Sequence, residues 1–168
     1  PNALLFINVQ TMTRLFSIIL LAFISTIEAN AKNNATTDSV NSVIANCAID
    51  SRSFLLQATH MSYAGRDYQV LPATNYISVS GDNVIIQVSP QGAPEIPGTL
   101  TQSGTITRWK EKTRKNGDRE IDFKIKSLSR VINVNILIYK GSNEGVAMVD
   151  GPSKIYLTGT IGKFIKGK

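Results

Sequence analysis

The chain has 168 residues, 42% of them hydrophobic, and a formal net charge of +6 at pH 7. That suits one globular domain, and the single cysteine (Cys47) and single histidine (His60) exclude an intrachain disulfide framework, a cysteine metal cluster and a multi-histidine metal site. The positive charge favours acidic partners, although the signs alternate along much of the chain, as solubility alone also requires.

The first residue is Pro1, and Met12 is the better candidate for the biological start, with residues 1–11 then upstream sequence. Thr13 and Arg14 form a short cationic segment, and Leu15–Ile27 is an apolar run. The run has the length of a signal-peptide core and falls short of the ~20 residues that span a bilayer. It leads to Ala29-Asn30-Ala31, a small-x-small cleavage site. Residues 1–31 are therefore expected to be upstream sequence plus signal peptide, with a mature chain starting at Lys32. No cysteine follows the run directly, so no lipid anchor is indicated, and the mature chain is expected to carry no transmembrane span.

Residues 32–37 are polar and read as a flexible linker, with Asn34-Ala35-Thr36 matching a glycosylation sequon. Asp38 is placed to cap a short helix whose apolar positions are Val40, Val43, Ile44 and Cys47, spaced i, i+3, i+4, i+7. On that reading Cys47 packs rather than reacts.

From Ser53 the period switches to two. Phe54, Leu56 and Ala58 alternate with Leu55, Gln57 and Thr59. Ala64-Gly65 is a turn, and Pro72 stops the strand that holds Tyr68 and Val70. Asn75–Ser89 organises the centre of the chain: Gly81-Asp82 predicts a type II′ hairpin that pairs Val79 with Val84 and Ile77 with Ile86, with Val88 on the same apolar face. Residues 90–98 hold three prolines and two glycines and read as a connection, with a lid over a pocket as the alternative.

A second hairpin is centred on Asn116-Gly117. A two-residue loop there would set Ile121, Phe123 and Ile125 against Lys112, Lys110 and Arg108. A three-residue loop with a bulged Gly117 instead brings Trp109 opposite Phe123 or Ile125, and burial of that aromatic pair favours it. Ile132, Val134, Ile136 and Ile138 share one face of the next strand; Val146–Val149 and the stretch holding Ile155, Leu157 and Ile161 follow, before a basic tail at residues 163–168. The expected fold is mainly β, an antiparallel meander of about eight strands forming a small barrel or sandwich, with one short N-terminal helix, within a single domain at residues 38–162.

Phe54-Leu55-Leu56-Gln57-Ala58, Gly65-Arg66-Asp67-Tyr68 and Asn75–Asp82 resemble blocks of a Bacteroidota secreted-protein family, the domain of unknown function DUF4251. Gly104-Thr105-Ile106, the lysine-rich hairpin around Gly117 and Leu157-Thr158-Gly159 fit the same template, so the resemblance spans roughly residues 38–161. It implies export and a β-rich fold. It brings no activity and no site residues.

Chemistry is sparse. Glu111, Glu120 and Asp122 lie close together on the second hairpin and could form an acid/base pair, which makes a small envelope hydrolase built on the Arg108–Ser127 hairpin the alternative function. Cross-strand ion pairs with Lys110, Lys112, Lys124 and Lys126 explain the same residues without chemistry. His60 has no accompanying motif. The principal reading is a non-catalytic, periplasmic or cell-envelope binding module, with no metal site and no cofactor. Its candidate contact residues are Arg66 and Tyr68 beside a turn, and Arg108, Trp109, Lys110 and Lys112 in the basic ladder. Its expected partners are a small apolar ligand, an anionic envelope component or an envelope protein, rather than nucleic acid.

Overall fold

The computed structural model describes residues 37–89, 100–128, 130–151 and 153–164. The predicted signal peptide, residues 32–36 of the linker, the proline-glycine connection and residues 165–168 of the tail lie outside the described residues. Among the described residues nine strands follow one helix: β1 (Ser53–Tyr63), β2 (Arg66–Gln69), β3 (Tyr76–Ser80), β4 (Asn83–Val88), β5 (Leu100–Thr113), β6 (Arg119–Lys126), β7 (Val131–Ile138), β8 (Glu144–Asp150) and β9 (Lys154–Lys163). Each strand pairs antiparallel with the next in a meander from β3 to β9, and β9 returns to pair with β1, which also pairs with β3. Eight strands thus close into a barrel, with β2 hydrogen-bonded to the outer half of β1 as an extra strand. Closure answers the sequence's alternative of barrel or sandwich.

The period-two pattern sets the faces. Gly81 adopts φ +60° at the predicted turn, and Val79 lies opposite Val84 and Ile77 opposite Ile86, as expected. Inward-facing Phe54, Leu56, Ile77, Ile86, Ile121 and Ile136 are each 0% exposed. An eight-stranded barrel is just wide enough for side chains to fill its interior. The space offered in sequence to an apolar ligand is taken by these residues.

The helix, α1 (residues 37–50), corrects the expected face. Ala45, Ala48 and Ile49 are buried against the core, whereas Val40, Val43, Ile44 and Cys47 are exposed. Both sets have helical spacing, so periodicity alone does not choose between them. The small Ala45 and Ala48 side chains let the helix approach its neighbours closely, and Arg119 of β6 holds the last turn through Asn46 and Asp50. Asp38 lies within the helix rather than before it. Among the described residues no helix is long and apolar enough to cross a membrane.

The β1–β9 seam closes with little room. Gly159 lies opposite Ala58, beside a register shift in β1, and a Cβ at Gly159 would run into the carbonyl oxygen of Gln57. Gly159→Ala is therefore expected to destabilise the fold by about 1–3 kcal/mol. A urea midpoint equal to wild type would show that the seam has slack.

Candidate functional site

The β5–β6 hairpin carries the densest run of charge in the chain, acids and bases interleaved. Its loop is Lys115-Asn116-Gly117, with Gly117 at φ +92°. The Arg114 N–H donates to the Asp118 carbonyl at 2.7 Å and the Gly117 N–H to the Arg114 carbonyl at 2.9 Å, the three-residue bulged turn favoured from sequence. Trp109 consequently faces Phe123, with ring centroids 5.4 Å apart and planes at 17°. The Arg52 guanidinium lies over the same indole, 4.9 Å from its centroid, and pairs with Asp82 at 3.3 Å. Trp109 therefore ties the hairpin to the start of β1 and to the β3–β4 turn. It does not offer an open platform to a ligand.

A second irregularity, at Thr107, was not foreseen. The register shifts between Ile106 and Arg108, so that Ile106 meets Ile125 inside while Arg108 lies directly opposite Lys124 outside.

Near the turn, the charges satisfy one another. Glu120, only 7% exposed, accepts from Arg114 Nε at 2.6 Å and Asn135 Nδ2 at 2.9 Å, with Lys112 Nζ at 3.3 Å. The Arg114 hydrogen bond is the largest cause, followed by Asn135, that lowers the Glu120 pKa from its ordinary 4.5 to about 2; burial opposes it and Lys112 assists. A carboxyl held ionised to that pH carries no proton to donate near neutrality, so Glu120 does not supply the acid half of an acid/base pair. Asn135 Nδ2 also donates to Asp122 Oδ1 at 2.6 Å, bridging the two carboxylates. On the hairpin's other face Arg119 binds Glu111 and Asp50. Asp118 ties the turn to the next one by accepting the Lys140 N–H at 3.0 Å, and that bond holds its carboxyl below the ordinary carboxylate range.

Two residues further along, the pattern changes. Arg108, Lys110 and Lys124 have no ion-pair partner among the described residues, and they converge on a groove in the outer wall of about 300 Å³. Asp122, Phe123, Asn133, Val134, Asn135 and Met148 complete its lining. Like charges set directly opposite across a sheet repel. Arg108 and Lys124 stand in that relation, and the one carboxylate of the lining, Asp122, lies opposite Lys110, accepts from Asn135 and forms an ion pair with neither Arg108 nor Lys124.

Of the six candidate residues, Arg108 and Lys110 meet in this groove, Lys112 is occupied by Glu120, and Trp109 is structural. Arg66 and Tyr68 lie apart from it on β2. Tyr68 packs against the core with its hydroxyl buried and, among the described residues, without a hydrogen-bond partner. Lys124, Asn133, Asn135 and Met148 were missed. The alternating polar positions of β7 were a usable signal for the two asparagines; Lys124 needed the register imposed at Thr107. His60 sits exposed with Nδ1 3.0 Å from the Thr59 hydroxyl.

The sequence profile of the domain of unknown function DUF4251 matches residues 31–161. The chain belongs to the DUF4251 family. A crystal structure of a DUF4251 family protein from Bacteroides eggerthii shares the fold at a TM-score of 0.69, with 21% sequence identity over 77% of this chain and 91% of that one. No curated protein matches the sequence.

The Glu120 network makes a signed prediction for this DUF4251 domain. Because the carboxyl titrates at about 2 when folded and near 4.5 otherwise, its contribution is complete above about pH 4.5 and is lost as pH falls to about 2. Glu120→Gln should cost on the order of 1 kcal/mol at pH 7, while near pH 2 its melting temperature should converge with wild type. Parallel melting curves across that range would refute the assignment.

Proposed function

We propose that this DUF4251 domain is an exported, non-catalytic binding module that takes an anionic group in the outer-wall groove of Arg108, Lys110 and Lys124. One observation carries the reading: Arg108 and Lys124 lie directly opposite each other, unpaired, at the rim of a concave site. Such an arrangement is unfavourable until an anion lies between the two side chains. Asn133 supplies a neutral hydrogen-bonding group beside the cations, Met148 adds an apolar patch, and Asn135 holds the Asp122 carboxylate of the lining through its amide N–H. Arg108 and Lys124 both have side chains long enough to close on a phosphate or carboxylate, and the arginine presents a bidentate fork.

Support for export comes from the sequence: the apolar run Leu15–Ile27, the Ala29-Asn30-Ala31 site and a family match that begins at residue 31. In the cell envelope the natural anions are lipid head groups, acidic glycans and acidic protein segments. Expression of the full chain in a bacterial host should yield an envelope fraction whose first residue is Lys32; an uncut cytosolic product would remove the export half of the proposal.

The binding half is tested by titrating the labelled protein with inorganic phosphate. Amide shifts are expected to centre on Lys124, Asn133 and Met148, and to vanish in Arg108→Gln/Lys124→Gln. The same double variant should be as stable as wild type or more so, by about 0.2–1 kcal/mol, because the opposed charges are gone. Shifts spread evenly over all surface lysines would overturn the groove as the site.

A further inference from the structure

β5 runs past the strand that flanks it. It pairs with β4 only as far as Thr105, opposite Asn83, and the Ile106 N–H closes the contact on the Asp82 carbonyl at 2.7 Å. From Arg108 to Thr113 it pairs with β6 alone. Residues 107–113 are exposed apart from half-buried Trp109. The hairpin turn tells which backbone groups face outward. Arg114 bonds across to Asp118, so in an antiparallel ladder Lys112 and Lys110 also face β6, while Thr113, Glu111 and Trp109 direct N–H and C=O to the open side. Among the described residues no strand pairs with them. Such an edge is a template for an added strand.

The side chains restrict what can be added. Arg108, Lys110 and Lys112 stand on the outer face at every second residue. A second copy of this chain, docked edge to edge, would set cations against cations. An extended segment with acidic residues at alternate positions does the opposite and brings carboxylates beside Arg108 and Lys110, the two cations of the edge that have no ion-pair partner among the described residues. We infer that residues 107–113 of β5 are a strand-addition site for an extended acidic segment of another protein, whose acidic side chains engage the cations at the groove rim. The side-chain half of this inference rests on the anion-groove reading; the backbone half is independent of it.

The test uses the full chain, labelled with nitrogen-15, and a short peptide that alternates glutamate with threonine and valine. A second peptide of the same sequence is N-methylated at the residues that would face β5, which removes its backbone donors and leaves its charge unchanged. The parent peptide should slow hydrogen exchange at the amides of Trp109, Glu111 and Thr113, and N-methylation should weaken binding about tenfold or more. Equal binding of the two peptides would sink strand addition while leaving the groove standing. Groove shifts with phosphate but no binding of either peptide would do the same. Edge protection by the peptide without any response to phosphate would uphold strand addition and remove the groove. No response to any of the three ligands would remove both.

Discussion

The pairing of β9 with β1 is the contact on which the rest of the domain depends. A meander of two-sided strands has two raw edges, and each apolar face needs a lid. Bringing the last strand back to the first satisfies both demands at once, since closure removes the edges and turns every apolar face toward one interior. The seam is close-fitting: Gly159 meets the backbone of Gln57 and Ala58, where β1 shifts its register. With the interior filled by Phe54, Leu56 and the isoleucines around them, recognition is left to the outer wall and to the part of β5 that runs past β4.

The strand that runs past its neighbour is β5, and the charges of the β5–β6 hairpin divide by position. Close to the turn, acids and bases are matched: Glu120 with Arg114 and Lys112, Arg119 with Glu111 and with Asp50 of α1. These contacts hold the hairpin in shape and fasten it to the helix. Further from the turn, Arg108, Lys110 and Lys124 stand, among the described residues, without ion pairs around a concavity that also holds Asp122. A surface that only needed solubility would gain nothing from setting Arg108 against Lys124. The direct opposition of Arg108 and Lys124 across the sheet is what singles out the groove from the rest of a basic protein.

Much of this was legible before any coordinates. Gly81-Asp82 and Asn116-Gly117 have few conformational options, so the two hairpins and their partners followed from local turn chemistry. That Trp109 would face Phe123 or Ile125 followed from asking which register buries the aromatics, and the structure selects Phe123. The helix face did not follow, because Val40, Val43 and Ile44 outrank Ala45 and Ala48 in hydrophobicity, and only the space available at the packing surface reverses that order. The groove was half visible. Arg108 and Lys110 stood out as part of a basic ladder, but the opposition of Arg108 to Lys124 depends on the irregularity at Thr107, and the contribution of Asn133, Asn135 and Met148 depends on which strands are neighbours. Arg66 and Tyr68 looked like site residues because they flank a glycine turn, yet β2 lies apart from the groove.

Arg52 leaves α1 with φ +47°, a backbone geometry that costs a non-glycine residue energy, and its guanidinium lies over the ring of the chain's sole tryptophan. Helix exit, β3–β4 turn and β5 thus all meet at one indole. Its emission colour and lifetime should register any movement of β5 against the helix exit, which makes Trp109 a native optical gauge placed on the same stretch of backbone that carries the groove and the open edge.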